Sequence, residues 1–244
     1  LLGGDATVIN VGVDYFRIVT IGFIFQSLSF TVTAALRGIG ETKIPMKNNI
    51  IANSFNVLGN AILIYGMFGF PALGVTGAAI STAVSNLIAM TLNVRYILSG
   101  KSILKLDFKE KFEFRVEVMR DLVRIGIPTA LEQMALRFGV IMFLKIVSGL
   151  GNNVYAAHQI ALNVLSLSYS PAQAFGITAS SLMGQSLGAK NEKLAERYTK
   201  MCQRIGLTLA IMMSASIYFG ATLLAGMYTD NVEIIQNTVI ALSI

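Results

Sequence analysis

One uncharged stretch decides the fold class of this chain: "NNIIANSFNVLGNAILIYGMFGFPALG", residues 48–74. It opens a run without Asp, Glu, Lys or Arg that extends to residue 94. A membrane-spanning α-helix needs about 20 mostly apolar residues to cross the hydrocarbon layer. The run is therefore long enough for two such helices. Its segment "GMFGFPALG", rich in turn-forming residues, is typical of the connection between them, so we predict a helical hairpin within a membrane.

Further apolar runs extend this interpretation along the chain. Uncharged runs cover residues 18–36, 146–189 and 205–229, a run with some charges covers 125–148, and another begins near residue 232. Only 13% of the residues are charged and 54% are hydrophobic, whereas soluble domains have roughly 25% charged residues. We count six helical spans and the start of a seventh. The predicted fold class is an all-α, polytopic membrane protein.

The basic residues are concentrated in alternate connections between these spans. Sixteen of the nineteen Lys and Arg residues lie in the segments 37–47, 95–124 and 184–204. Membrane proteins place such positively charged loops in the cytoplasm, so we predict that all three segments are cytoplasmic. The net charge of +6 is thus an orientation signal. We predict a lipid bilayer as the surroundings and no nucleic-acid partner.

Polar side chains repeat at helical spacing on two of the predicted spans. The first set is Asn49, Asn53, Asn56 and Asn60. The second set is Gln159, Asn163, Ser166, Ser170 and Gln173. At about 100° per residue, each set forms a narrow stripe on one helix. Amides are costly in hydrocarbon without a partner, so the stripes either join neighbouring helices or line a hydrated cavity. Two stripes exceed what helix packing usually requires, and we predict a substrate cavity.

The span over residues 125–148 carries ionisable residues within the membrane, Glu132 and Arg137. Ionisable groups at this depth are functional by default, and a structural ion pair to another helix is the alternative. Pro128 precedes Glu132 by four residues and removes a backbone hydrogen bond from the helix there. We predict that Glu132 takes part in cation coupling and that Arg137 lies in the cavity.

Signatures of catalysis and of metal binding are missing from the sequence. The chain has one His and one Cys, so no His/Cys metal cluster can form. It contains neither GxSxG nor HExxH, and "RGIGETK" lacks the spacing of a phosphate-binding loop. We therefore predict that the protein is not an enzyme and has no cofactor. The metal prediction is limited to Na⁺ at Glu132. Transport without a nucleotide site is driven by an ion gradient.

Five motifs, together with the stretch quoted first, resemble the multidrug and toxic compound extrusion (MATE) family. They are "LRGIGETKIPM" (36–46), "GFPALGVTGAAIST" (69–82), "GIPTALEQ" (126–133), "AAHQIALN" (156–163) and "SSLMGQSLGAKN" (180–191). The resemblance covers nearly the whole chain in the family's order. Members have twelve helices in two six-helix lobes, and this chain matches the fourth helix to the start of the tenth.

The resemblance implies a division of the chain. Residues 1–100 correspond to the second half of the N-terminal lobe, 101–121 to a cytoplasmic amphipathic linker, and 122–244 to the first part of the C-terminal lobe. The linker mixes apolar residues with charges of both signs, and we expect an interfacial helix there.

The resemblance also implies a function. It indicates a secondary transporter of the bacterial inner membrane, monomeric at full length, which exports cationic, lipophilic drugs or toxins. Each exported compound is exchanged for Na⁺ or H⁺, and the transporter works by alternating access. Asn60 matches an acidic cation-coupling position of some members, and its amide cannot exchange a proton. One branch of the family has an acidic residue in its seventh helix, at the position that Leu136 occupies here. Glu132 lies one turn before that position and is a plausible substitute.

Other functions remain as alternatives at this point. The first is a lipid-linked glycan flippase of the same superfamily, which needs a cavity rich in basic residues. The second is an intramembrane enzyme, which the missing catalytic motifs disfavour. The third is a non-transporting structural subunit, which leaves both polar stripes without a role.

Overall fold

The computed structural model describes residues 6–104 and 115–243, with side chains from residue 12 onward, and these residues form helices and short turns without a strand. The helices are α1 Ala6–Gly38, α2 Lys43–Tyr65, α3 Gly74–Leu98, α4 Val116–Ser148, α5 Asn152–Gly188, α6 Glu192–Gly226 and α7 Val232–Ser243. A single 3₁₀ turn, Met67–Gly69, stands between α2 and α3. The all-helical fold and the predicted break at 66–74 are confirmed, and further breaks separate α4 from α5 and α6 from α7.

The turn after α2 depends on a glycine. Gly66 ends the helix in the left-handed region with φ 71°, and its N–H donates to the carbonyl of Ile62. A Cβ at this position would lie 2.8 Å from the carbonyl oxygen of Phe70 and 2.9 Å from the backbone nitrogen of Ala72. Both the backbone conformation and the lack of space require glycine. The "GMFGFPALG" segment is thus a compact turn, as its composition predicts.

The chain divides into two compact units, Leu1–Glu110 and Lys111–Ile244. In the first unit, α3 packs against both α1 and α2. Small residues allow α2 and α3 to approach closely. A Cβ on Gly77 would stand 2.5 Å from the carbonyl oxygen of Leu63, and one on Gly59 would stand 2.5 Å from Ser81 Oγ. Gly77 and Gly59 therefore allow a close contact between α2 and α3.

The second unit is built around α5, α6 and α7, which pack on one another. They share a core whose members are Ile160, Ala161, Val164, Ile217, Ala221 and Leu242. Helix α4 contacts α5 near its end, where the rings of Phe143 and His158 meet edge to face at 5.3 Å. Most of α4 is exposed, and of its residues only Val147 is buried.

Three of the described helices can cross a membrane by length and composition alone: Gly12–Gly38, Gly74–Leu98 and Glu192–Gly226. They correspond to α1, α3 and α6. The other long helices, α2, α4 and α5, carry the polar stripes and the ionisable residues, which lower their hydropathy. The helices with the lower mean hydropathy are thus the ones that carry the candidate site.

The predicted linker differs from the structure at both of its described ends. Residues 101–104 are not helical, and residues 116–121 already form the first turns of α4. The prediction of a separate interfacial helix is therefore wrong at these ends, because the basic and apolar residues after Arg115 continue into α4. Residues 105–114 of the linker lie outside the described residues. The assignment of the two units to halves of two lobes stays a prediction.

Candidate functional site

The asparagine stripe of α2 contacts α3 through one of its four members. The two N–H donors of the Asn56 amide are shared among three hydroxyl oxygens, Ser81 Oγ at 3.4 Å, Thr82 Oγ1 at 3.5 Å and Ser85 Oγ at 3.5 Å. These distances exceed the usual 2.9–3.0 Å, so each bond is weak. A shorter bond runs the other way, from Ser81 Oγ to the Asn56 backbone carbonyl at 2.9 Å. Asn56 therefore joins two helices, as in the packing alternative.

Asn60 stands one turn further along α2 and has an oxygen without a donor. Its Nδ2 donates to Asn56 Oδ1 at 3.2 Å. Its Oδ1 is buried and has no hydrogen-bond partner among the described residues. A buried amide oxygen is costly to leave unpaired. Oxygen atoms of this kind are also the ligands that hard cations prefer. The geometry of Asn60 is thus compatible with the predicted cation coupling, which stays a prediction.

The two members of the asparagine stripe nearer the start of α2 differ in exposure. Asn53 is exposed and Asn49 is half-buried. No side-chain hydrogen bond of either amide is found in the described part of the chain. The adjacent Ala52, by contrast, is 5% exposed because it lies on the face that packs within the unit. The stripe therefore runs along the edge of the α2–α3 contact, and its assignment to a cavity stays a prediction.

The first unit also contains a buried polar network that sequence reasoning missed. Asn93 of α3 is fully buried. It accepts a hydrogen bond from Asn48 Nδ2 at 2.8 Å and donates to Ser29 Oγ at 2.9 Å and Thr33 Oγ1 at 3.3 Å. The network links α1, α2 and α3. The available signal was a pair of asparagines in the apolar run of α3, Asn86 and Asn93, which are seven residues apart and therefore lie on one side of the helix.

The polar stripe of α5 is more open than the stripe of α2. Asn163, Ser166, Ser170 and Gln173 are exposed and Gln159 is half-buried. Two of the side chains are held by tyrosines one turn earlier on the same helix. Gln159 Nε2 donates to Tyr155 OH at 2.9 Å, and Gln173 Nε2 donates to Tyr169 OH at 3.1 Å.

The opposite side of α5 packs into the core of the second unit. Ile160, Ala161 and Val164 are buried there, and Val164 is 1% exposed. The core therefore fixes which side of α5 is turned toward α6 and α7. The polar stripe lies on the other side, where it is free of the packing of these helices and can face water or a ligand.

The ionisable residues of α4 lie on an exposed helix. Glu132 and Arg137 are both exposed. Neither side chain forms a hydrogen bond or an ion pair within residues 12–104 and 115–243. The alternative of a structural ion pair between helices thus finds no support in the described residues. Pro128 lies inside the helix, one turn before Glu132, so the backbone bond to the carbonyl of Arg124 is missing. Both roles predicted for these residues stay predictions.

A protein metal centre of the usual kind is not found in the described part of the chain, where no three His, Cys, Asp or Glu residues cluster to hold an ion. The arrangement is that of a polytopic helical membrane protein with polar stripes on two of its helices. The MatE family model matches residues 1–62 and 128–244. The chain therefore belongs to the MatE family, as its motifs predict.

Individual relatives agree with this family. A probable multidrug resistance protein NorM from Thermotoga maritima is 28% identical over 230 residues, which are 91% of this chain and 48% of that protein. A probable multidrug resistance protein YoeA from Bacillus subtilis is 31% identical over 191 residues, 78% of this chain and 41% of that protein. The chain thus spans about half the length of the curated relatives it matches.

Solved structures share the same fold. A structure described as the outward-facing conformation of a multidrug resistance MATE family transporter superposes with a TM-score of 0.88 at 20% identity, over 99% of this chain and 53% of that one. A MOP superfamily transporter from Pyrococcus furiosus has a TM-score of 0.89 at 19% identity, over 99% and 54%. These structures confirm the all-α polytopic fold, and membership of the family confirms the multi-pass placement in the inner membrane.

Proposed function

We propose that the protein to which this chain belongs is a secondary transporter that exports cationic, lipophilic drugs or toxins in exchange for Na⁺ or H⁺. The observation that carries the proposal is the exposed polar stripe of α5, which lies opposite the buried core of the second unit. The names of the relatives, probable multidrug resistance proteins, support the substrate class. Family membership also supports a transporter over an enzyme.

Helix α5 would supply the wall of the substrate cavity. Its stripe offers amide and hydroxyl groups, and the rings of Tyr155 and Tyr169 stand beside them through hydrogen bonds. An aromatic ring attracts a cation over its face, and the ring itself is apolar. A lipophilic cation needs both properties. A wall of neutral polar groups and rings binds such compounds without demanding one fixed geometry.

Cation coupling would reside at Glu132 and Asn60. The Glu132 carboxylate can bind a proton, Na⁺ or a cationic substrate, and any one of these occupants excludes the others. The amide of Asn60 cannot take up or release a proton near neutral pH. Its buried oxygen, which has no hydrogen-bond partner among the described residues, would therefore bind Na⁺. Exchange follows when cation and substrate each bind the outward and inward states with different affinity. Alternating access in the family's two-lobe fold supplies these states.

Uptake of a fluorescent lipophilic cation into inverted membrane vesicles tests the proposal, with the full-length protein and an imposed Na⁺ or H⁺ gradient. We expect uptake with at least one of the two gradients. Glu132→Gln keeps the shape of the side chain and removes its charge, so it should abolish this uptake. Glu117→Gln, in the first turn of the same helix, is the matched control and should retain it. Wild-type uptake by the Glu132→Gln protein would refute coupling through this residue.

A lipid-linked glycan flippase is less well supported. Binding a pyrophosphate needs several basic groups around the cavity. The described residues of α4 offer Arg137 in the membrane part and Lys145 in the last turn, and α5 contributes uncharged groups to its stripe. The neutral polar wall therefore favours an organic cation over a pyrophosphate.

A further inference from the structure

The first turns of α6 carry a stripe of basic residues that the proposed transport function does not use. Its members are Lys193, Arg197, Lys200 and Arg204, and all four are exposed. Their spacing of four, three and four residues places them within roughly 60° of one another around the helix. The opposite face packs into the second unit through Ala195 and Cys202. We call these four residues the basic stripe.

The basic stripe borders a shallow cleft of about 550 Å³. Met201 and Ile205 form an apolar side of this cleft, and Glu196 lies on its other side. Glu196 forms an ion pair with Lys200, which neutralises one of the four positive charges. The side chains of the other three basic residues find no acidic partner within the described residues.

The position along α6 places the basic stripe at the membrane surface. Arg204 is the last charged residue before an uncharged run that covers residues 205–229. The headgroup layer of a bilayer is roughly 5–8 Å thick on each side. At about 1.5 Å per residue, Lys200 lies about 6 Å from Arg204 along the axis, at the depth of this layer. Arg197 and Lys193 follow at about 10 and 16 Å, where the field of an anionic surface still acts.

We propose that the basic stripe binds the headgroup of an anionic phospholipid in the leaflet on this side of the membrane, the side that the loop charges predict to be cytoplasmic. Arg204 contacts the lipid phosphate, Arg197 adds electrostatic attraction from the next turns, and the apolar side formed by Met201 and Ile205 receives the start of an acyl chain. A lipid has both an anionic headgroup, which matches the basic stripe, and an acyl chain, which matches the apolar side of the cleft. A soluble anion would contact only the basic stripe. The proposal concerns the lipid surroundings and is independent of the transported substrate.

Binding of a fluorescent phosphatidylglycerol to the purified full-length protein in detergent tests this site, with the matching phosphatidylcholine as reference. We expect phosphatidylglycerol to bind more tightly than phosphatidylcholine. The double variant Arg197→Gln/Arg204→Gln should weaken phosphatidylglycerol binding about 25-fold, since each basic residue near an anionic surface contributes roughly fivefold. Phosphatidylcholine binding should change little.

Matched variants distinguish loss of this site from a general change in net charge and from misfolding. Arg120→Gln/Arg124→Gln removes the same charge from the first turns of α4 and should retain the preference. Arg197→Lys/Arg204→Lys keeps the charge and should retain it as well. An equal loss in the α4 variant, or a full loss in the Lys variant, would overturn the proposal. Displacement of the lipid by inorganic phosphate or by an oligonucleotide at matched concentration would assign the basic stripe to another ligand and overturn it too.

Discussion

Replacement of Asn93 by leucine gives the sharpest test of how the first unit is held together. The Asn93 side chain is fully buried and makes three hydrogen bonds, at 2.8, 2.9 and 3.3 Å, that join α1, α2 and α3. Leucine has a similar shape and removes all three bonds. Interhelical hydrogen bonds in membrane proteins contribute about 0.6 kcal/mol each on average. We therefore expect Asn93→Leu to lower the free energy of unfolding by about 2 kcal/mol.

The measurement is an unfolding titration of the purified full-length protein in mixed detergent micelles. Thr91→Val is the matched control on the same helix, because Thr91 is exposed and its hydroxyl donates to the carbonyl of Leu87 within α3 at 2.8 Å. We expect the control to change the free energy of unfolding by less than about 0.5 kcal/mol. If Asn93→Leu is as stable as Thr91→Val, the network is not a stabilising junction and the reasoning fails.

A second variant checks the assignment of the bonds. Asn48→Ala removes one donor to Asn93 and should cost about 0.6–1 kcal/mol. The bond between the two residues is lost in either single variant, so the double variant should cost less than the sum by about 0.6 kcal/mol. Strict additivity would show that the two side chains do not interact.

Three further outcomes are expected. In a background without the native cysteine, Asn163→Cys should react with a small aqueous thiol reagent much faster than Val164→Cys, since Val164 is 1% exposed; equal rates would remove α5 from the cavity wall. Gly77→Ala should lower the free energy of unfolding by about 1–3 kcal/mol because of its close backbone neighbour, while Gly126→Ala, with nothing within 4 Å of its Cβ, should not. Ser99→Cys should stay unlabelled by an impermeant reagent added outside intact cells, and labelling there would reverse the predicted topology.

Apolar runs and turn-forming residues predicted the presence of the helices, because both signals are local. Uncharged runs of span length define α1, α3 and α6, and the glycine at position 66 ends α2 with a left-handed φ of 71°. The linker was predicted less well. A mixture of basic and apolar residues is compatible both with an interfacial helix and with the first turns of a spanning helix, so the pattern could not show that α4 begins at Val116.

The roles of the polar residues depended on partners that periodicity does not contain. The four-residue spacing identified Asn56 as a stripe member but not its contacts with Ser81 and Ser85 across the α2–α3 interface. Those contacts depend on the rotation of α3 about its axis. Asn93 was missed for the related reason that it and Asn86, two turns apart on α3, are too few amides to form a stripe. A polar residue inside an apolar run is itself a signal of a buried junction, since lipid cannot satisfy it.

The two polar stripes differ in how their hydrogen-bonding groups are satisfied, and the difference bears on the coupling ion. In the first unit, Asn56 bonds to α3, and Asn60 keeps one buried oxygen that can receive a cation but cannot carry a proton. In the second unit, the stripe of α5 is open, and α4 carries the Glu132 carboxylate, which can bind a proton or Na⁺. We therefore expect export driven by H⁺ to depend on Glu132. Export that also responds to Na⁺ after Glu132→Gln would place the remaining coupling at Asn60.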